Sequence, residues 1–191
     1  ASEAFIEAVA AAQAENPRTD HRHFIVHGQL LDESQLRRMA ALGISATLFS
    51  NHMYYWGDFH RAHTFGAFRA AAMNPAATAL RLGVIVSAHS DTPVSPVDPL
   101  LTMWAAVNRV TTTGRVQGPR ERVSAYEGLR MMTYNAAWLL HRDHEIGSLR
   151  VGKRADFTVL GDDPLDVEPM AIKDVPVLAT ILGGRVFPVT G

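Results

Sequence analysis

Three polar residues in this chain each close a short apolar run: His27 after the segment FIV, His52 after ISATLFSN, and Asp91 after VIVSAHS. Two imidazoles and a carboxylate form a recognised ligand set for a catalytic divalent metal. The chain has nine histidines and no cysteine, so disulfides and thiolate nucleophiles are excluded, and any metal must rest on histidine and carboxylate. His89 lies two residues before Asp91 and faces the same side of an extended chain; it either orients the carboxylate or fills the interior. Tyr54, Tyr55, Trp56 and Asp58 follow His52 closely and either line a substrate pocket or cover the site as ordinary packing.

The remaining histidines read differently. His21 and His23 form an H-x-H pair, but at about 3.3 Å per residue His23 stands roughly 13 Å from His27, too far to share one ion. They lie at the amino end of that strand and are expected to be structural. His60 and His63 read as solvated loop residues, and Asp98 is explained by helix capping alone.

These residues need elements to hold them. Residues 3–14 are alanine-rich and helical by propensity, with Pro17 closing the segment. FIVHGQL reads as a strand. Asp32 with Gln35 three residues later is a helix-start signature, and Gly43 is placed to end that helix. Residues 44–51 and 84–91 read as the next strands, joined through an aromatic loop, a brief strand within 63–68, and a helix over NPAATALRLG. Asp98-Pro99 starts a helix as cap and first helical residue, Ser124 with Glu127 starts another, and Thr133 is expected to cap a further one. Wholly apolar strands alternating with helices imply an α/β fold with a parallel sheet buried on both faces, and working residues in such folds sit at the carboxyl ends of the strands. After Gly147 the texture becomes β-rich, with Gly183-Gly184 as a hairpin signal. A boundary is therefore expected near residue 145, dividing an α/β part, 1–145, from an all-β part, 146–191.

The 191 residues are 47% apolar and carry a net charge of −1, which suits a globular protein with a substantial core. No basic run is present, so nucleic acid is not an expected partner. No run approaches the roughly 20 apolar residues a membrane span needs, and the first residues lack the layout of a secretory signal, so the expected location is cytoplasmic and no membrane partner is expected.

Several segments taken together resemble one family. HRHFIVHGQ, the histidine at position 52, HSDTPV followed by DPLLTMWAAVNR, and the run from YEGLRMMTYNAAWLL to GSLRVGKRADFTVLGDDPL are similar to the metal-dependent amidohydrolases, in their YtcJ-like and AepA-like branch. The resemblance covers nearly the whole chain from residue 20 onward. It implies a (β/α)8 TIM-type barrel with metal at its carboxyl face and a small β-sandwich, and hydrolysis of amide-like, non-peptide C–N bonds in a small-molecule substrate. On that resemblance His27 corresponds to the strand-five ligand, His52 to the strand-six ligand and Asp91 to the strand-eight aspartate. The same resemblance implies that Asp91 is also the catalytic proton acceptor. The implied cofactor is a divalent ion, zinc first, with manganese or iron as alternatives.

The chain departs from the family pattern in two places. Phe49-Ser50-Asn51-His52 stands where a Gln-Pro often precedes the histidine, and the family's earlier H-x-H and its carbamylated lysine or carboxylate near strand four have no counterpart before residue 20. A whole barrel takes about 250 residues. The chain is therefore expected to be the C-terminal half, strands five to eight plus a sandwich segment, inactive alone and prone to homo-oligomerise or to associate with the missing N-terminal half. Two other readings stand beside this one: a non-catalytic regulatory or binding protein on the same scaffold, and a structural α/β domain whose histidines belong to the core.

Overall fold

Two separate three-stranded sheets organise the chain, in a computed structural model that describes residues 1–189. The first is parallel, in the order β1 (Phe24–His27), β2 (Ser45–Leu48), β3 (Val86–Ala88). Phe24 lies opposite Ser45, and Ala46 opposite Val86. Three parallel strands are thus described where four were expected, because β2 pairs directly with β3 and the brief strand expected within 63–68 is helical.

Local chemistry sets the helices. The first, α1 (Ser2–Glu15), buries Ile6 and packs on α2 (Glu33–Leu42), whose Arg38 reaches Glu3 and Glu7. At the start of α2 the Asp32 side chain accepts from the Gln35 amide while the Gln35 side chain accepts from the Asp32 amide, so two orphan donors are satisfied together. Gly43 ends it in the left-handed conformation, φ 71°, which costs glycine little. Ser124 and Glu127 repeat the reciprocal cap on the helix Ala125–Met132, and Asp98 caps the helix Pro99–Asn108 with Pro99 in its first turn.

The stretch expected to be an aromatic loop is instead largely helical: α3 (Asn51–Phe59) runs into a π-turn over His60–Thr64, and after a bend at Phe65 comes α4 (Gly66–Ala71). Aromatic residues are only mildly unfavourable in helices, so burial of Met53 and Gly57, one turn apart on the same face, together with Asn51 in the first turn, decides the outcome. After α5 (Ala76–Arg81) and β3 come α6 (Pro99–Asn108), α7 (Ala125–Met132) and α8 (Tyr134–Leu139). Thr133 does not cap α8 as expected; its hydroxyl donates back to the Leu129 carbonyl and closes α7 instead.

The second sheet, antiparallel in the order β4 (Phe157–Leu160), β5 (Val177–Leu182), β6 (Arg185–Pro188), turns through Gly183 and Gly184, both at positive φ. The tail is not purely β. A 3₁₀ turn over Pro169–Asp174 returns to the main core, where Ile172 is fully buried and the Met170 carbonyl accepts from Trp104 Nε1. The last two residues of the expected 146–191 segment lie outside the described residues. No helix among the described residues is long and apolar enough to cross a membrane.

Candidate functional site

The carboxyl ends of the three parallel strands carry the residues of interest. His27 is the last residue of β1 and itself adopts a left-handed backbone, φ 69°, as the chain turns. β2 ends at Leu48, and Phe49-Ser50 lead directly into α3, so His52 sits in that helix's first turn rather than on the strand end itself. Beyond β3, the His89 amide donates to the Leu48 carbonyl, and Asp91 follows at φ 54°. Non-glycine residues held at positive φ cost free energy and persist where surrounding structure enforces them. Part of that enforcement is visible. Asn51 Nδ2, buried in the first turn of α3, donates to Ser95 Oγ at 3.0 Å, and the Ser95 hydroxyl donates to the Ser90 carbonyl. The loop carrying Asp91 is thereby tied to the helix carrying His52.

Aromatic contacts bring these ends together around Phe49. Its ring stacks on His52 at 5.1 Å and on His89 at 5.3 Å, and meets His27 at 6.1 Å. His27 and His89 also meet edge-on at 4.9 Å. Trp56, one helical turn after His52, stands edge-on to it at 5.0 Å. On the far side, His60 brings its Nε2 within 3.2 Å of His52 Nε2.

The electrostatics follow from this crowding. Burial, then the neighbouring His60 and His27, push His52 down to about 4, while Asp91 opposes the shift. Burial likewise lowers His89, helped by His27 and opposed by Asp91, and lowers His60. His52 is therefore a neutral imidazole at neutral pH, the form that donates a lone pair to a metal. Asp91 is near enough to act on both His52 and His89.

The other expected residues divide. Trp56 and His89 belong to the cluster. Tyr54 turns away, packing edge-on against Trp104 at 5.3 Å and against the main core. Asp58 accepts from the Thr113 hydroxyl at 2.7 Å and from Arg115 Nε at 3.1 Å; the Thr111 and Thr113 hydroxyls and Arg115 hold it below the usual carboxylate range. At the opposite end of β1, His21 bonds the Leu42 carbonyl through Nε2 and accepts the His23 amide on Nδ1, two structural bonds far from the cluster.

Whether these donors suit a divalent ion can be judged on spacing. Two nitrogens bound to one tetrahedral zinc at about 2.0–2.1 Å each stand roughly 3.3 Å apart. The His52–His60 nitrogens, at 3.2 Å, have that spacing, and both imidazoles favour the neutral form. With Phe49 among the rings, the described residues gather no group of three histidine or acidic side chains about one point. In chemistry the donor set fits a divalent ion, of whose coordination it would supply a part.

Sequence reading missed two members of this cluster, Phe49 and His60. Phe49 carries no chemical signal of its own. His60 does: positions 52, 56 and 60 recur at four-residue intervals, the spacing of one helix face. Taking the segment as a loop concealed it.

Comparison with known proteins agrees with this architecture. A family model described as "Amidohydrolase family" matches residues 1–188. The N-substituted formamide deformylase of Arthrobacter pascens is 35% identical over 158 residues, 83% of this chain and 29% of its own length. The putative amidohydrolase YtcJ of Bacillus subtilis is 26% identical over 187 residues, 96% of this chain and 35% of its own. Among solved structures, an uncharacterized metal-dependent hydrolase from Pyrococcus horikoshii superposes with a TM-score of 0.70 at 22% identity, covering 88% of this chain and 34% of that one. The chain spans about a third of the length of the curated relatives it matches.

Proposed function

Since the chain belongs to the amidohydrolase family, we propose that it is the carboxyl-terminal portion of a (β/α)8-barrel hydrolase that cleaves a non-peptide C–N bond with water activated on a divalent metal. In this reading residues 1–145 contribute the later barrel strands and 146–191 a sandwich segment. The observation that carries it is the approach of His27 and His52 to the Phe49 ring, one from the end of β1 and the other from the first turn of α3, with Asp91 near enough to act on a His52 held as a neutral imidazole.

His27 and His52 would hold the ion, with Asp91 beside them; imidazole-rich ligation suits zinc, with manganese or iron as alternatives. When bound, the ion lowers the proton affinity of a coordinated water and polarises the scissile carbonyl. Asp91 accepts the proton from the attacking water and returns it to the leaving nitrogen. Its left-handed backbone and the Asn51–Ser95–Ser90 tie would fix the main chain from which the carboxylate projects. Trp56 and His89 would wall the substrate side, while Tyr54 and Asp58 serve packing and loop structure.

The Arthrobacter relative makes an N-substituted formamide the first substrate to try. In the chain at its native length, loaded with zinc, amine release is expected, and Asp91→Asn should lower kcat by about 10²–10⁴-fold with KM little changed. Undiminished turnover in that variant would remove Asp91 from its role.

A further inference from the structure

We infer that His60 is a second imidazole ligand to the ion that His52 holds. The inference rests on the metal reading of the cluster proposed above and extends it to a residue outside the His27–His52–Asp91 set.

Geometry carries it. His52 and His60 lie two helical turns apart, yet their Nε2 atoms meet at 3.2 Å with the rings nearly perpendicular, 84° between planes. That spacing is close to the roughly 3.3 Å separating two nitrogen ligands of one tetrahedral ion. The backbone is shaped to allow it: the helix of α3 gives way at His60 to a π-turn, His60–Thr64, a rare conformation that recurs where helices present functional side chains. The ring is also fixed. Phe65 stacks on it at 4.8 Å, with Phe59 edge-on at 6.2 Å.

A purely structural histidine pair accounts for less of this. The Nδ1 of His60 is buried without a hydrogen-bond partner, so the His52 contact is the one polar interaction that the described residues offer this ring. An apolar side chain would fill the position without leaving a buried polar atom unsatisfied. For both rings to ligate one ion, each Nε2 presents its lone pair and each Nδ1 carries the proton; the 3.2 Å separation is then the gap between two ligand nitrogens in place of a hydrogen bond between the rings.

The test uses the chain at its native length with cobalt(II) as probe, comparing the unmodified protein with His60→Ala and His60→Phe. The phenylalanine variant keeps the stack on Phe65, and thermal melting identifies which variants are folded. Loss of an imidazole ligand is expected to weaken cobalt binding by at least about tenfold in chelator competition, and to alter the visible d–d spectrum of the residual complex. Free imidazole should restore the spectrum of His60→Ala toward that of the unmodified protein. Unchanged affinity and spectrum in a folded variant, with His52→Ala losing the metal, would overturn the role of His60 and leave the metal reading standing. An unmodified protein that binds no cobalt would remove the metal reading and this inference with it.

Discussion

A histidine with its proton affinity driven down to about 4 leaves a signature in stability. In the native metal-free chain His52 takes up a proton only near pH 4, whereas in the unfolded chain it does so near its ordinary 6.5. Between those values the unfolded state binds more protons, so stability rises with pH. Lowering the pH from about 6.5 to about 4 should therefore destabilise the protein progressively, with His60 and His89 acting in the same direction. Urea unfolding midpoints measured across that range test this. His52→Asn should flatten the dependence, and an undiminished slope in that variant would show that the burden lies elsewhere. At this scale the sequence was half legible. The neighbourhood of His27, His52, His89 and Asp91 was legible because each follows an apolar run, and such runs become strands whose carboxyl ends lie side by side. Phe49 has no polar group to mark it, and the partnership of His60 depends on a helix that aromatic residues disguise.

The elements were legible where one residue's chemistry decides an end and illegible where tertiary contact decides it. Asp32 with Gln35, Asp98 with Pro99, and Ser124 with Glu127 form the expected caps because the signal and its target lie within four residues. Thr133 has the right side chain for a cap but spends it on Leu129, and residues 51–71 fold as helix because of what they pack against. One distant residue organises that region. Arg109 is buried at 2% exposure and ends α6. It donates through Nε to the Gln117 carbonyl, through Nη1 to that of Asn74, and through Nη2 to those of Met73 and Ala71. It thus joins the end of α6 to the turn between α4 and α5. Burial lowers its proton affinity to about 10, which still leaves it charged at neutral pH. Arg109→Met keeps the stem and orphans these acceptors. Each buried unsatisfied group costs about 1–3 kcal/mol, so a loss of roughly 3 kcal/mol or more is expected. Denaturant unfolding measures it, and a loss below about 1 kcal/mol would show that water replaces the guanidinium without difficulty.

At the scale of the whole molecule, the described residues leave apolar surface uncovered. β1 is an edge strand with Val26 55% exposed, and the second sheet exposes Phe157, Leu178, Val186 and Phe187. Unpaired strand edges and open apolar faces favour association. These 191 residues by themselves are therefore expected to self-associate, with sedimentation coefficients that rise with concentration, and Val26→Lys should weaken that trend. A clean monomer at high concentration would show that the exposed edge and face are tolerated as they stand. The α/β class and the strand–helix alternation were legible in the sequence, since each follows from hydrophobic runs and breakers. The strand count and the return of Ile172 to the main core were not, because they depend on contacts between residues far apart in sequence. The account as a whole depends on His27 and His52 sharing an ion, and metal content tests that most directly. Elemental analysis of the chain at native length should find bound divalent metal, sharply reduced in folded His27→Ala and His52→Ala; metal content unchanged in both variants would contradict the account.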